Sequence, residues 1–428
     1  MKSVKKSLLT ACLIAVMMSV LVFAGSLHFG IKQVSVSMGN VNGIISADTT
    51  WVAATYNFTG NVNVLNGVTL TIEPGARVEL NTYFLQVNGI LVARGNSAEK
   101  ISFEAMGAYT PDFKPLSPGG IEFTKFSTSW NEKTGTGSII EDAILNSTTI
   151  SIQSASPKID NDNLNDSSIN INTEVSFMGT GSPVIYKNVL INSGIVLGGF
   201  GMPIIASNTI QGSNNGIYMN GGNATISNNR ISGCQCGIFL NTIPVFMGEF
   251  PSYPIVERNL IASNTQGITI LLYNRFDSLS PGMNIPVIMN NTVSENSIGF
   301  DVKETNYISP TLLNNNVENN TQYNVRLAEG STSGDVNATY NWWGTTDQSA
   351  IGNSIFDSKN EANLGTVNFV PFLTAPNPQA MPDPNASVPI PIQSPNSTPA
   401  VPEFPTWIAL LLVISATLSL IVLKKRHG

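Results

Sequence analysis

The segment PVIYKNVL (183–190) recurs down the chain, and its recurrence limits the fold more than any other feature. Aligned on the sixth letter, PIIASNTI (203–210), ATISNNRI (224–231), PIVERNLI (254–261), PVIMNNTV (286–293), PTLLNNNV (310–317) and VNATYNWW (336–343) put asparagine in one column. Its members are Asn188, Asn208, Asn229, Asn259, Asn291, Asn315 and Asn341, and PKIDNDNL and GSIIEDAI continue it upstream with Asp162 and Asp142. The steps are 20, 26, 20, 21, 30, 32, 24 and 26 residues. A period in the low twenties, with short alternating strands and Gly or Asn corners, fits the coils of an all-β parallel solenoid. Stacked coils lie ~4.8 Å apart, so corner asparagines can bond to one another and tolerate left-handed backbone angles. The column is therefore expected to be a structural ladder. Two positions on, Leu190, Ile210, Ile231, Ile261, Val293, Val317 and Trp343 point into the core by strand alternation.

Composition agrees. Only 11% of the 428 residues are charged against 42% hydrophobic, which suits strands better than Glu/Lys-faced helices. The opening coils are read in NVNVLNGVTLTIEPGARVEL and FLQVNGILVARG, and the aromatics of YNWWG and GTVNFVPFL can cover the last coil. Both histidines, His28 and His427, fall outside the repeats, which excludes histidine triads and His-ligated zinc there. All 28 Asp and Glu lie between the termini, against 15 of the 21 Lys and Arg, and no basic stripe appears. Nucleic acid is excluded as a partner.

Lys2, Lys5 and Lys6, an apolar run and small residues before Gly25 describe a signal peptide over 1–24, followed by a linker over 25–48. The β-solenoid domain is expected over 49–371. Residues 371–405 hold eleven prolines and almost no charge, so a spacer that cannot pack is expected over 372–405, reaching on the order of 100 Å. A transmembrane helix over 406–423 and a cytoplasmic basic tail over 424–428 complete the chain. These ends place the solenoid outside the cell, tethered at the cell surface by the membrane.

The repeats, and within them Asn208-Thr-Ile followed by Asn215-Gly-Ile, resemble the right-handed parallel β-helix superfamily of pectate-lyase-like folds, over about residues 50–371. The same repeat is shared by carbohydrate-active enzymes, cell-surface proteins and NosD-like proteins of copper-site assembly. VPEFPTW resembles the Pro-Glu-Phe type of C-terminal sorting signal on archaeal surface proteins. Resemblance to the lyases implies acidic residues holding Ca²⁺ and an Arg or Lys that abstracts a sugar proton. The motifs of polygalacturonase-like hydrolases are missing from the sequence.

Against that background four groups are candidates. Glu141, Asp160, Asp162 and Asp166, with Asp142, form the densest acidic group and could hold Ca²⁺, the one cofactor considered. Adjacent-coil carboxylates such as Glu141 and Asp160 also match the spacing of a retaining glycosidase. Lys187, Arg230 and Arg258 could form a basic strip or supply a lyase base. Two consecutive insertions, 241–253 and 271–285, should emerge side by side and wall a cleft for sugars with Phe246, Phe250, Tyr253, Tyr273, Arg275, Phe276 and Asp277. Cys234 and Cys236 read as buried small side chains at a turn, with a Cu(I) site as the alternative. Nine Asn-x-Ser/Thr sequons include Asn385 and Asn396 in the spacer. The sequence thus points to an exported, membrane-anchored β-helix for surface recognition or structure, with polysaccharide or glycoprotein glycans as partners. A polysaccharide lyase or glycosidase is the alternative, and a NosD-like metal-site assembly factor the third.

Overall fold

The structure, a computed structural model, describes residues 36–106, 119–173, 181–199, 201–241, 254–271, 286–304, 310–328 and 334–389. Every ladder between its strands is parallel, and each strand pairs with its counterpart one coil away. One coil runs Ile139–Glu141, Ala143–Asn146, Thr149–Gln153; the next runs Lys158–Asp160, Asn163–Asn165, Ser168–Asn172. The first strands of successive coils build a 13-stranded sheet, and the second and third rows join in a 23-stranded one. This is a parallel β-helix. The short helix Gln348–Asn353 follows the last full coils, with Asp347 capping the amide of Ser349.

The interior is three aliphatic stacks. Ile140, Ile159, Ile185, Ile205, Ile226, Val256, Ile288 and Leu312 line up in register along the first row, all buried. Leu164, Leu190, Ile210, Ile231, Ile261, Val293 and Val317 do the same in the second, and Ile169, Ile195, Ile217, Ile238, Ile268, Phe300 and Val325 in the third. Each fully buried aliphatic side chain contributes about 1.5–3 kcal/mol. The inward residues expected from the repeat all lie here, with Trp343 buried at the end.

Between first and second strands the chain turns through one left-handed residue, such as Lys187, Ser207, Asn228 or Arg258. The next residue is the column asparagine. Asn188 donates from Nδ2 to Ile159 O at 2.9 Å and to Asn208 Oδ1 at 3.0 Å, while its own N–H reaches the same Oδ1 at 2.9 Å. The pattern repeats through Asn208, Asn229, Asn259, Asn291 and Asn315 to Asn341, all buried. At the upstream end the expected column is one residue out. Glu141 pairs with Asp160, so Asp142 matches the left-handed corner residue Asn161, and Ala143 occupies the ladder slot. The letter Asp was aligned, but the turn geometry belongs to its neighbour.

A second ladder stands at the next corner. The amide of Thr148 donates to Ser167 Oγ, that of Ser167 to Ser193 Oγ, and that of Cys234 to Asn264 Oδ1. Asn264, Asn296 and Asn320 continue it.

Two expected boundaries shift. Val36–Ile45, inside the expected linker, is a strand paired in parallel with Ala54–Val64. Gly39 and Gly43, both at positive φ, interrupt its register and hide the alternation. The second shift is larger, because part of the proline-rich segment packs. Asn377 exchanges bonds with Asn316 and donates to Asn290 Oδ1; Ala380 O accepts from Thr292 Oγ1. The amide of Asp383 donates to Asn228 Oδ1, and Ala386 O accepts from Tyr186 Oη at 2.6 Å. From the coil of Asn315 to that of Asn188 is five spacings, ~24 Å, which Asn377 to Ala386 cover with two tight turns, Ala380 N to Asn377 O and Ala386 N to Asp383 O. The segment therefore runs back along the flank as a strap. Polar side chains on the coils supply the partners its prolines lack.

No helix among the described residues is long and apolar enough to cross a membrane. The expected signal (1–24), transmembrane helix (406–423), basic tail and remaining spacer lie outside the described residues.

Candidate functional site

Along the first-row strands, residues either side of the inward isoleucine face outward. In register these are Arg94, Glu141, Asp160 and Tyr186 on one line, with Ile139, Lys158, Val184 and Ile204 beside it. The face is divided. Tyr186, Ile204 and Ala206 form a small apolar cluster with Val184 and with Val388 of the strap. The coils before it carry charge.

Over the charged part lies the segment 124–137, held by the bond from Trp130 N to Ser156 O. It brings Trp130 and Glu132 against the sheet. Lys158 Nζ is 2.9 Å from Glu132 Oε1 and 3.0 Å from Asp160 Oδ2, and lies 5.6 Å from the Trp130 ring and 5.8 Å from the Tyr186 ring. Arg94 stands 5.1 Å from the Trp130 ring, and Lys187 stands 5.0 Å from that of Tyr186. Trp130 Nε1 donates to Glu132. Arg94 Nε is 3.2 Å from Glu141 Oε2, yet the buried Nε–H has no hydrogen-bond acceptor among the described residues. The distance makes an ion pair; the direction leaves a donor unused.

Burial dominates the carboxyls. It raises Glu141, with Arg94 opposing and Asp160 adding, and it raises Asp160 despite the bond from Lys158. Burial would lower Lys158, but its bonds to Glu132 and Asp160 outweigh that and raise it. Glu132 moves the other way: burial is outweighed by the bonds from Lys158 and Trp130, and it is lowered. The same pairing thus favours charge on Lys158 while burial wins on Asp160, the more enclosed partner. Chemically, the patch offers carboxylates that accept, cations that donate and two aromatic rings within a few ångströms.

Of the sequence candidates, the structure brings Glu141 and Asp160 together here, with Lys187 at the corner of the next coil. It separates the rest. Asp162 is buried in the ladder, and Asp166 sits at the second corner accepting from Asn192 Nδ2. The four carboxylates proposed for Ca²⁺ therefore do not converge, and among the described residues no group of three metal-ligating side chains does. Arg258 is a first-corner residue three coils beyond Lys187, ~14 Å away by the coil spacing, and Arg230 begins a second-row strand. The three cations do not meet. Cys234 fills a slot in the second ladder, while Cys236 bonds Thr269 and burial pushes its thiol up to about 11. Both are free and buried. Phe246, Phe250, Tyr253, Tyr273, Arg275, Phe276 and Asp277 lie outside the described residues.

Sequence reading missed Arg94, Trp130, Glu132, Lys158 and Tyr186. Tyr186 stood one residue before its corner, in register with Asp160, and Lys158 two residues before Asp160 on the same strand, so register could have revealed them. Trp130 arrives on a segment with no repeat signature.

A family model described as a right handed beta helix region matches residues 175–341. The chain folds as a right-handed parallel β-helix. Among solved structures it resembles the periplasmic alginate epimerase AlgG, at 13% identity and TM-score 0.43 over 79% of this chain and 82% of that one. Two mutants of that enzyme match at 0.42 and 0.43, with 14% and 13% identity and the same coverage. Likeness at this level carries no activity across. No curated protein sequence matches the chain.

Proposed function

We propose that this chain is a surface β-helix that binds polysaccharide or glycoprotein glycans across the face of Arg94, Trp130, Glu141, Lys158, Asp160 and Tyr186. The observation that carries the reading is the partly exposed Trp130 ring beside Arg94 and Glu132, next to carboxylates on adjacent coils. Sugar hydroxyls need alternating donors and acceptors, and their C–H faces suit aromatic edges and faces. The charged and apolar runs at the C-terminus, with the N-terminal signal pattern, support an exported protein tethered outside the membrane. The insertions 241–253 and 271–285 remain part of this proposal, as a second glycan contact.

A second reading is catalytic. It is favoured by Glu141 and Asp160, register partners that burial holds raised toward an acid's role. One experiment separates the two. The full chain is run in affinity electrophoresis through neutral and acidic polysaccharides while reducing ends and unsaturated uronate are followed. Retardation without cleavage, weakened about tenfold in Trp130→Ala, supports binding. Cleavage abolished in Glu141→Gln makes it an enzyme. Absence of both with every polysaccharide sinks the glycan reading.

A further inference from the structure

The Asn ladder has one member that is not an asparagine, and its geometry is informative. Asp162 takes the slot before Asn188: its N–H donates to Asn188 Oδ1 at 2.9 Å, and its Oδ1 accepts from the amide of Ala143 at 2.6 Å. Those are the bonds every ladder asparagine makes through its backbone and its carbonyl oxygen. The other atom differs. From Asn188 to Asn315, Nδ2 donates to the next Oδ1 and to a carbonyl of the preceding coil: Ile159 for Asn188, Ile185 for Asn208, Ile205 for Asn229, Ile226 for Asn259. By sheet register the corresponding carbonyl for Asp162 is that of Ile140. Asp162 Oδ2 therefore occupies a site bordered by two acceptors, the Asn188 side-chain oxygen and a main-chain carbonyl. It is buried, with no hydrogen-bond partner. A carboxylate oxygen there would face lone pairs on both sides, out of reach of water.

We propose that Asp162 is a proton-binding site of the fold: its Oδ2 carries a hydrogen and donates it as the amide of an asparagine would. Protonated, the side chain becomes isosteric with its seven successors and completes the ladder's polarity. At the preceding coil Ala143 has no side-chain donor, so Asp162 Oδ1 receives its backbone amide alone and the side-chain array begins at Asp162.

The surroundings agree. Burial is the chief influence and drives the carboxyl well above its usual range of about 3.8. The Ala143 amide and Lys100 oppose it, while Asp160, at the end of the strand before it, and Asp142 on the preceding corner reinforce it. Lys100 is already paired with Asp142 at 3.2 Å, Lys158 is paired with Asp160, and Lys187 stands at the following corner. Among the described residues no cation forms an ion pair with Asp162.

The sign of the pH effect follows. The unfolded chain releases this proton above about 3.8, whereas the folded chain keeps it. Stability is thus fully present at acid pH and falls as pH rises, by about tenfold in the folding constant per pH unit, until the folded group itself ionises.

The test compares the full-length chain with Asp162→Asn by equilibrium denaturation at successive pH values between 4 and 9. The ratio of folding constants, variant over parent, should rise by about tenfold per pH unit before levelling. Infrared difference spectra at neutral pH should show a protonated-carboxyl stretch that Asp162→Asn removes. A ratio that stays flat with pH, or a parent without that band, overturns the proposal. So does failure of the variant to fold, since asparagine is the residue the slot is claimed to mimic.

Discussion

Asn229 shows what one ladder residue holds in place. Its Oδ1 receives both the backbone and the side-chain N–H of Asn208, and its Nδ2 reaches Ile205 O and Asn259 Oδ1. Replacing it with alanine leaves several buried donors and acceptors unpaired at once. Asn229→Ala should cost about 3 kcal/mol or more, read as a shift in denaturation midpoint. Asn165→Ala, whose side chain meets Asn146 at the partly exposed surface, should cost less than about 1 kcal/mol. Equal losses would mean that the ladder adds nothing beyond packing. This chemistry was legible in the sequence because one letter recurs. The second ladder was not, since Thr148, Ser167, Ser193, Cys234 and Asn264 share a geometry but no letter. Asp142 was misplaced for the converse reason: its letter suited the column and its backbone did not.

At the scale of elements, the strap and the 124–137 segment were the hardest to foresee. Proline-rich composition argues against a segment making regular hydrogen-bonded structure, but not against its borrowing an acceptor from Asn228 and donors from Thr292 and Tyr186 on the coils. Its attachment is checkable. Tyr186→Phe removes the bond to Ala386, and Asn377→Ala removes the side-chain bonds to Asn290 Oδ1 and Asn314 O. Each should weaken strap docking by about 1 kcal/mol, so limited proteolysis after Met381 should accelerate about fivefold while the coils stay resistant. Unchanged cleavage in both variants would show that other contacts hold the strap. The candidate face was half legible: Glu141 and Asp160 by their letters, Trp130 and Arg94 only once folding had brought them there.

For the whole molecule, each coil rests on its two neighbours, so the fold should tolerate loss of a repeat. Deleting residues 189–208 removes one twenty-residue step and joins Asn188 to Thr209, with Asn229 left as the next rung. The shortened chain should keep its β-sheet circular dichroism and melt cooperatively. A non-cooperative transition would show that the solenoid is not additive by coil. Its strap, however, would be one spacing too long.

That strap also fixes how the rod answers a pull. The described part of the strap ends on the flank near Tyr186, partway along, not at the end where the last coil lies. Tension directed away from the flank loads one attachment at a time, first Ala386, then Asp383, then Ala380, as adhesive tape peels. Tension along the axis toward the first coil loads them together, in shear. The same few hydrogen bonds are therefore weak in one direction and strong in the other, and the orientation of the rod decides which.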